Sequence, residues 1–383
     1  MKLIKTNLPS DQFLHLPSDF QKPIADDLYQ ISDFEKNFCR VKLAPTNEIK
    51  KPVLKNLPKK LTSQARQTFK LIHDISKDLK EADELVNLVK ATPDISDEVF
   101  VQALMFTTGK KSLIHWKLLL IICSLFVPNK EHSRYLSAYL VRNAIDDWAE
   151  IAQLCYIRLM HVTDTGVKPS QIPEQALSGT LKFGITIAEQ MFHQRKSHPN
   201  LPLPHTLYRI VSVLQLKHCE QSEGVFREPG NKKVVDKLAE ELNQDKDELE
   251  GSDVTVNDLA SLLKKWFGDL PNPPVPFETL DALLMDSGEN DFVDFTELLP
   301  RANQTSLMFL VGFLRSLLKH ADKTRMDSKN LAMCFTPAIV RVADGEDKEK
   351  AKSIDKVAPA FVEALIKRWN TDQMYPIKDE FLH

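Results

Sequence analysis

Glycine is scarce in this chain, with 11 in 383 residues, against an ordinary share of about 7%. A chain so poor in the residue that relieves tight turns is a poor candidate for a turn-rich β protein, and its plentiful leucine, alanine and lysine favour helices. Cysteine is also sparse. Cys39, Cys123, Cys155, Cys219 and Cys334 are odd in number, scattered and never spaced C-x-x-C, which argues against a disulfide framework or a zinc site and for thiols in a reducing compartment. No charge sign dominates: 50 Lys and Arg stand against 53 Asp and Glu, a net charge of -3. Nothing global therefore points to nucleic acid or an anionic membrane as partner. The longest apolar run, LLLIICSLFV at 118–127, stops at Pro128, well short of the roughly 20 residues that a membrane span needs. The N-terminal MKLIKTNLPSDQF lacks the apolar stretch of a signal peptide. These absences give the expectation of a cytoplasmic protein.

Common catalytic patterns are missing as well. Neither H-E-x-x-H nor G-x-S-x-G occurs, and the 11 histidines are dispersed, so no metal site is expected. TTGKKS at 107–112 resembles the end of a phosphate-binding loop, but that loop needs a glycine five residues before Gly109, where Leu104 stands. Without it the backbone cannot wrap a phosphate, so the chain is not expected to hydrolyse nucleotides itself.

What is present is hydrophobic patterning at helical spacing, in two blocks. Residues 1–49 carry an echo, LPSDQF and LPSDF, and read as an arm that docks Phe13 and Phe20 or as a loose tail. From 50 to 165, Leu61, Ala65, Phe69 and Ile72 recur at three- and four-residue spacing. Ser96-Asp97-Glu98 then opens a run at Val99, Ala103 and Phe106, with an apolar central helix at 116–127 and further helices at 135–141 and 145–160. Residues 166–182, with prolines and glycines, suit a linker. A second helical block fills 183–371, before a tail at 372–383. Within it Leu259, Leu262, Leu263, Trp266, Phe267 and Leu270 form one face of a helix that ends before Pro271, with Lys264 and Gly268 opposite. LMFLVGFLRSLLKH at 307–320 predicts a mostly buried helix, SKNLAMCFTPAIV one that meets Pro337, and 344–356 a solvated loop and helix start. The expected fold class is all-α, with two helical domains.

One short stretch stands out. GVFREPG at 224–230 sets Arg227 directly after Phe226 and encloses both between Gly224 and the Pro229-Gly230 pair. Phe226 can anchor in a core while the flanking residues hold a tight turn, which throws the arginine outward with little freedom. On these seven residues alone, an Arg–Glu surface turn is an equal reading.

The surrounding motifs give context. Phe183-Gly184, the proline-bearing LPLPHTLYRIV, the G-x-F-R-x-x-G turn, Ala260 to Pro273, Leu299-Pro300 with Asn303, and Met326, Asn330-Leu331-Ala332 and Pro337 follow one another over about 185 residues. In this order they resemble the RhoGAP family of GTPase-activating domains. The resemblance implies that Arg227 is an arginine finger inserted into a Rho-family small GTPase, whose GTP and Mg2+ belong to the partner, with no cofactor in this chain. It further implies that Lys264, or Lys265 if the register slips by one, supports the finger loop, and that Gly224, Phe226, Asn330 and Pro337 belong to the same GTPase-facing region. Two positions depart from the family pattern. Gly268 stands where an arginine is usual, and Ala338 where an asparagine helps grip the partner; both are expected on the partner-facing surface. A non-catalytic scaffold that binds a GTPase or microtubules is the alternative they favour.

The first block resembles a MyTH4 domain, carried by LPKKLTSQARQTFKLI, DEVFVQALMFTT and HWKLLLIICSLFVPNKEHSRYLSAYL. That resemblance implies a helical bundle with cytoskeletal, including microtubule, partners. Lys50, Lys51, Lys55, Lys59 and Lys60 form a basic cluster near its start, read first as a solvated helix face. MyTH4 followed by RhoGAP is similar to the order in the C-terminal half of the Vilse/CrossGAP group.

Overall fold

The structure, a computed structural model, describes residues 29–76, 79–108, 112–144, 146–165, 181–286, 292, 294–343 and 345–382. They fall into two units, one ending and the other beginning between residues 165 and 181. Among the described residues both units are built from helices, and the sole β pairing is an isolated bridge between Cys39 and Leu54.

Helices of the first unit are α1 (Ile31–Phe38), α2 (Thr62–His73), α3 (Lys80–Ala91), α4 (Ser96–Thr107), α5 (Leu113–Leu125), α6 (Lys130–Arg142) and α7 (Ala149–Thr165). The predicted periodic residues Leu61, Ala65, Phe69 and Ile72 are all buried. From Leu118 to its end helix α5 is buried on every side, and the helix packs against α3, α4 and α7. Its Trp116 is fully buried and stacks against Tyr139 and Trp148, each with ring centroids 6.2 Å away. Leu104 lies inside α4 and Ser112 precedes α5, so the phosphate-loop look-alike joins two helices; Gly109, Lys110 and Lys111 lie outside the described residues.

Residues 1–49 were expected to be an arm that docks Phe13 and Phe20 or a loose tail; both phenylalanines lie outside the described residues, but residues 29–49 are not a loose tail. Helix α1 packs on α6, where the Phe34 ring lies 5.2 Å from Tyr135 and 5.1 Å from His132, and Arg142 donates to the Tyr29 carbonyl at 2.9 Å. Nor do the five lysines form a helix face. All are exposed, but Lys50, Lys51 and Lys55 sit on irregular chain and Lys59 and Lys60 on a single 3-10 turn. The irregular segment is pinned by buried Glu98, whose carboxylate accepts from the backbone N–H groups of Val53 at 2.6 Å and Leu54 at 2.8 Å and from Gln102 at 2.9 Å. Burial raises its pKa against those bonds.

Helices of the second unit are α8 (Ile187–Gln194), α9 (His205–Leu216), α10 (Lys232–Asn243), α11 (Val256–Gly268), α12 (Leu280–Asp286), α13 (Arg301–Leu318), the single turn α14 (Ala321–Thr324), α15 (Ser328–Ile339) and α16 (Lys348–Arg368). Helix α11 is central and packs on α9, α10 and α15. The six predicted apolar residues are all buried, five of them within α11 and Leu270 two residues beyond its end. A capping box starts it: the Thr255 hydroxyl accepts from Asp258 N–H, and the Asp258 carboxylate accepts from Thr255 N–H. The Trp266 indole donates to the Lys182 carbonyl at 3.0 Å and to Gln190 at 3.2 Å, which ties α11 to the start of the unit. Helix α15 runs through Pro337 and ends two residues later, at Ile339. Proline is tolerated there because it removes only the bond to the Met333 carbonyl in the last turn. Of residues 372–383, expected as a tail, the described ones to 382 are partly docked: Tyr375, Ile377, Phe381 and Leu382 pack against the core, and a Cβ on Gly312 would collide with Tyr375.

Candidate functional site

The GVFREPG segment forms a closed turn between α9 and α10. Gly224 adopts φ +69°, and its N–H donates to the Thr324 carbonyl at 2.7 Å, fastening the turn to the end of α14. The N–H groups of Arg227 and Glu228 both donate to the Gly224 carbonyl at 2.8 Å. Phe226 is fully buried, with its ring 4.8 Å from Phe335 of α15 and 6.1 Å from Phe313 of α13. It carries φ +71°, a conformation that costs a bulky L-residue about 1–2 kcal/mol. Something must hold it there. Burial of the ring is one restraint; the other is Lys264, whose ammonium donates to the Phe226 carbonyl at 2.6 Å.

Arg227 leaves this anchored turn half-exposed, with its Nε 3.5 Å from the Glu228 carboxylate. The anchor residue and the arginine are adjacent in sequence, so restraint on one limits the other. Cys334, on α15, is close enough for Lys264 and Arg227 both to pull its pKa down, although burial outweighs them and leaves the thiol above its ordinary value. Arg227, Lys264 and Cys334 thus share one neighbourhood. Lys265 does not join it: its ammonium pairs with Asp269 at 2.9 Å and Asp236 at 3.9 Å. The geometry therefore sets Lys264, not Lys265, against the turn.

Gly230 has a different role from the one its turn suggested. Its φ is not positive; it permits close approach instead. A Cβ there would lie 2.6 Å from the Asn257 carbonyl oxygen and 2.6 Å from the Asp258 Cα. The Gly230 N–H donates to Ser261 at 2.9 Å and the Asn231 N–H to Asp258 at 2.7 Å, docking the end of the turn onto the first turns of α11. Burial pushes the Asp258 carboxyl up, but its bonds from Thr255 and Asn231 more than offset this and leave its pKa lowered.

The remaining predicted residues separate. Gly268 is exposed, and a Cβ there would meet nothing within 4 Å. Asn330 is half-buried and Pro337 exposed. Ala338 is buried at 7% exposure, which corrects the expectation that it lies on the open surface. It follows Leu331 by seven residues and Phe335 by three, so helical phase turns it to the core face of α15. The exposed face instead presents Met333, 62% exposed, between Asn330 and Pro337 at i, i+3 and i+7. That residue was not singled out from the sequence, where it reads as one more apolar residue of an apolar helix. Asn303 lies apart from the turn and donates to the carbonyls of Pro273 and Pro274 at 3.4 and 3.2 Å.

A helical unit that presents an arginine from an aromatic-anchored, lysine-braced turn is the class defined by these features. Residues 204–344 match the RhoGAP domain, and residues 82–176 match the MyTH4 domain. The chain carries a MyTH4 domain followed by a RhoGAP domain. It is 31% identical over 177 residues to GTPase activating protein homolog 4 of Dictyostelium discoideum, covering 45% of this chain and 19% of that protein. It is 32% identical over 181 residues to Rho GTPase-activating protein 23 of Mus musculus, covering 42% of this chain and 11% of that protein. The chain thus spans a fifth or less of these two relatives' length. A crystal structure of human Rho GTPase activating protein 15 aligns with a TM-score of 0.45 and 20% identity, over 52% of this chain and 94% of that one. Among the described residues no helix is long and apolar enough to cross a membrane.

Proposed function

We propose that this chain accelerates GTP hydrolysis on a Rho-family small GTPase by inserting Arg227 into the partner's nucleotide site, and so switches off signalling to the cytoskeleton. The observation that carries the reading is the Lys264–Phe226 bond beside Arg227, within a matched RhoGAP domain. As phosphoryl transfer proceeds, charge develops on oxygens that the GTPase alone balances poorly. A guanidinium supplied in trans can contact those oxygens with a planar fork, an effect worth about 10³–10⁵ in rate, or about 4–7 kcal/mol. The turn supports that role by fixing in advance the backbone from which the arginine extends. GTP and Mg2+ are the partner's, and the chain itself contributes Arg227, Lys264 and the exposed face of α15.

Single-turnover GTP hydrolysis measured across the main Rho-family branches tests the proposal. Acceleration of at least one member is expected; binding to a member without any change in its hydrolysis rate supports the scaffold reading, which rests on the open surface at Gly268. For the MyTH4 domain, the exposed lysine cluster at Lys50, Lys51, Lys55, Lys59 and Lys60 supports contact with an acidic cytoskeletal surface such as the microtubule. Salt-sensitive cosedimentation with microtubules tests it, and pelleting unaffected by charge reversal of these lysines would exclude them.

A further inference from the structure

Arg227 is followed by an acidic residue, and the two side chains cross the same α-carbon. An ideal Cβ on Gly224 would lie 3.2 Å from the Arg227 Nη2, 2.8 Å from the Glu228 Cγ and 3.4 Å from the Glu228 Oε1. Arg227 Nε stands 3.5 Å from that same Oε1. Both residues leave from one closed turn, since both backbone N–H groups donate to the Gly224 carbonyl. The guanidinium is thus folded back over its own loop with Glu228 beside it.

We propose that Glu228 is a positioning residue that holds the arginine finger parked over Gly224 in the free protein and releases it on engagement with the GTPase. This rests on the reading of Arg227 as a finger. The pair suits a releasable restraint. Its separation is outside the range of a good N–H···O bond, and the two side chains remain 49% and 56% exposed, so the attraction is weak and screened. Once the guanidinium reaches phosphate oxygens, the carboxylate beside it faces charge of its own sign, and the two states are driven apart. Glycine at 224 is what allows the parked pose, because any side chain there would occupy the space that the pair covers.

The test compares the full chain carrying Glu228→Gln, which removes the charge at similar shape, with Glu228→Asp, which keeps the charge but draws the carboxylate back by one methylene. The first measurement needs no GTPase: the Arg227 Nε–Hε order parameter by NMR is expected to fall in both variants. The second is single-turnover GTP hydrolysis on the GTPase that the unmodified chain stimulates best. Exposed pairs of this kind predict that Glu228→Gln is faster by up to about fivefold at low salt, with the advantage shrinking at high salt and Glu228→Asp close to Glu228→Gln. An unchanged order parameter, or a Glu228→Gln rate equal to that of the unmodified chain, overturns the proposal. So does an Asp variant that behaves like the unmodified chain while the Gln variant is faster, since Glu228 would then act only by repelling the partner's phosphates. If no GTPase is stimulated at all, the finger reading fails, and the order parameters still decide whether Glu228 restrains Arg227.

Discussion

Replacing Lys264 by methionine keeps an unbranched stem as far as the ε carbon but removes the ammonium that the Phe226 carbonyl accepts from at 2.6 Å. A hydrogen bond to a charged group contributes about 1.5–3 kcal/mol. On the other side stands the cost of φ +71° at Phe226, about 1–2 kcal/mol. Removing the bond therefore leaves burial of the Phe226 ring, worth about 1.5–3 kcal/mol, and the backbone bonds donated by Gly224, Gly230 and Asn231 to hold the turn. If the whole bond energy goes into fixing the loop, the fraction of molecules with Arg227 correctly presented falls by about 10- to 150-fold. If the loss is spread over the domain instead, the melting temperature drops by about 3–12 °C, taking about 2–4 °C per kcal/mol for a domain of this size. Single-turnover hydrolysis at saturating protein, run beside a thermal melt, separates these outcomes. The account expects at least a tenfold loss of stimulation with a melting temperature lowered by only a few degrees. Undiminished stimulation by a folded Lys264→Met protein would refute the bracing role of the lysine.

Three further outcomes follow from the geometry. Gly230→Ala forces a Cβ to within 2.6 Å of the α11 backbone. A loss of about 2–3 kcal/mol is expected, read as a lower urea midpoint at unchanged slope. Gly268→Arg has room, since nothing lies within 4 Å of the added Cβ; it should leave stability unchanged and strengthen GTPase binding, as measured by calorimetry. His205 stacks on His198 at 3.8 Å, and burial, then the charges of His198 and Arg209, push its pKa down from 6.5 to about 4. The unfolded chain therefore binds its proton first as pH falls. The contribution of neutral His205 is complete above about pH 6.5 and is lost between there and about 4, so a His205→Asn variant should show a flatter stability profile across that window.

Helices such as α2 and α11 were legible because their buried faces repeat at helical spacing, as Leu61, Ala65, Phe69 and Ile72 do in α2 and its approach, and as Leu259 to Leu270 do in and just beyond α11. The turn was legible for a local reason too: Phe226, Arg227 and the glycines lie within seven residues. The motif favoured Lys264 and kept Lys265 as the alternative; one position along a helix rotates a side chain by about 100°, and it is Lys264 that reaches the Phe226 carbonyl. Ala338 was misplaced because a motif position says nothing of helical phase, whereas its spacing from Leu331 and Phe335 does. Gly230 looked like a turn residue, yet what restricts it is α11, 27 residues away in sequence at Asn257. The packing of Tyr29 and α1 on α6 is a long-range contact of the same kind, and the prolines near the start of the chain pointed away from it.

The central claim is that the guanidinium of Arg227 acts on a partner's nucleotide. Its most direct measurement is single-turnover GTP hydrolysis by a responsive Rho-family GTPase with Arg227→Ala, alongside the equilibrium affinity of the same pair. The account predicts a loss of about 10³-fold or more in stimulated rate, with most of the binding retained. A stimulated rate equal to that of the unmodified chain would contradict it.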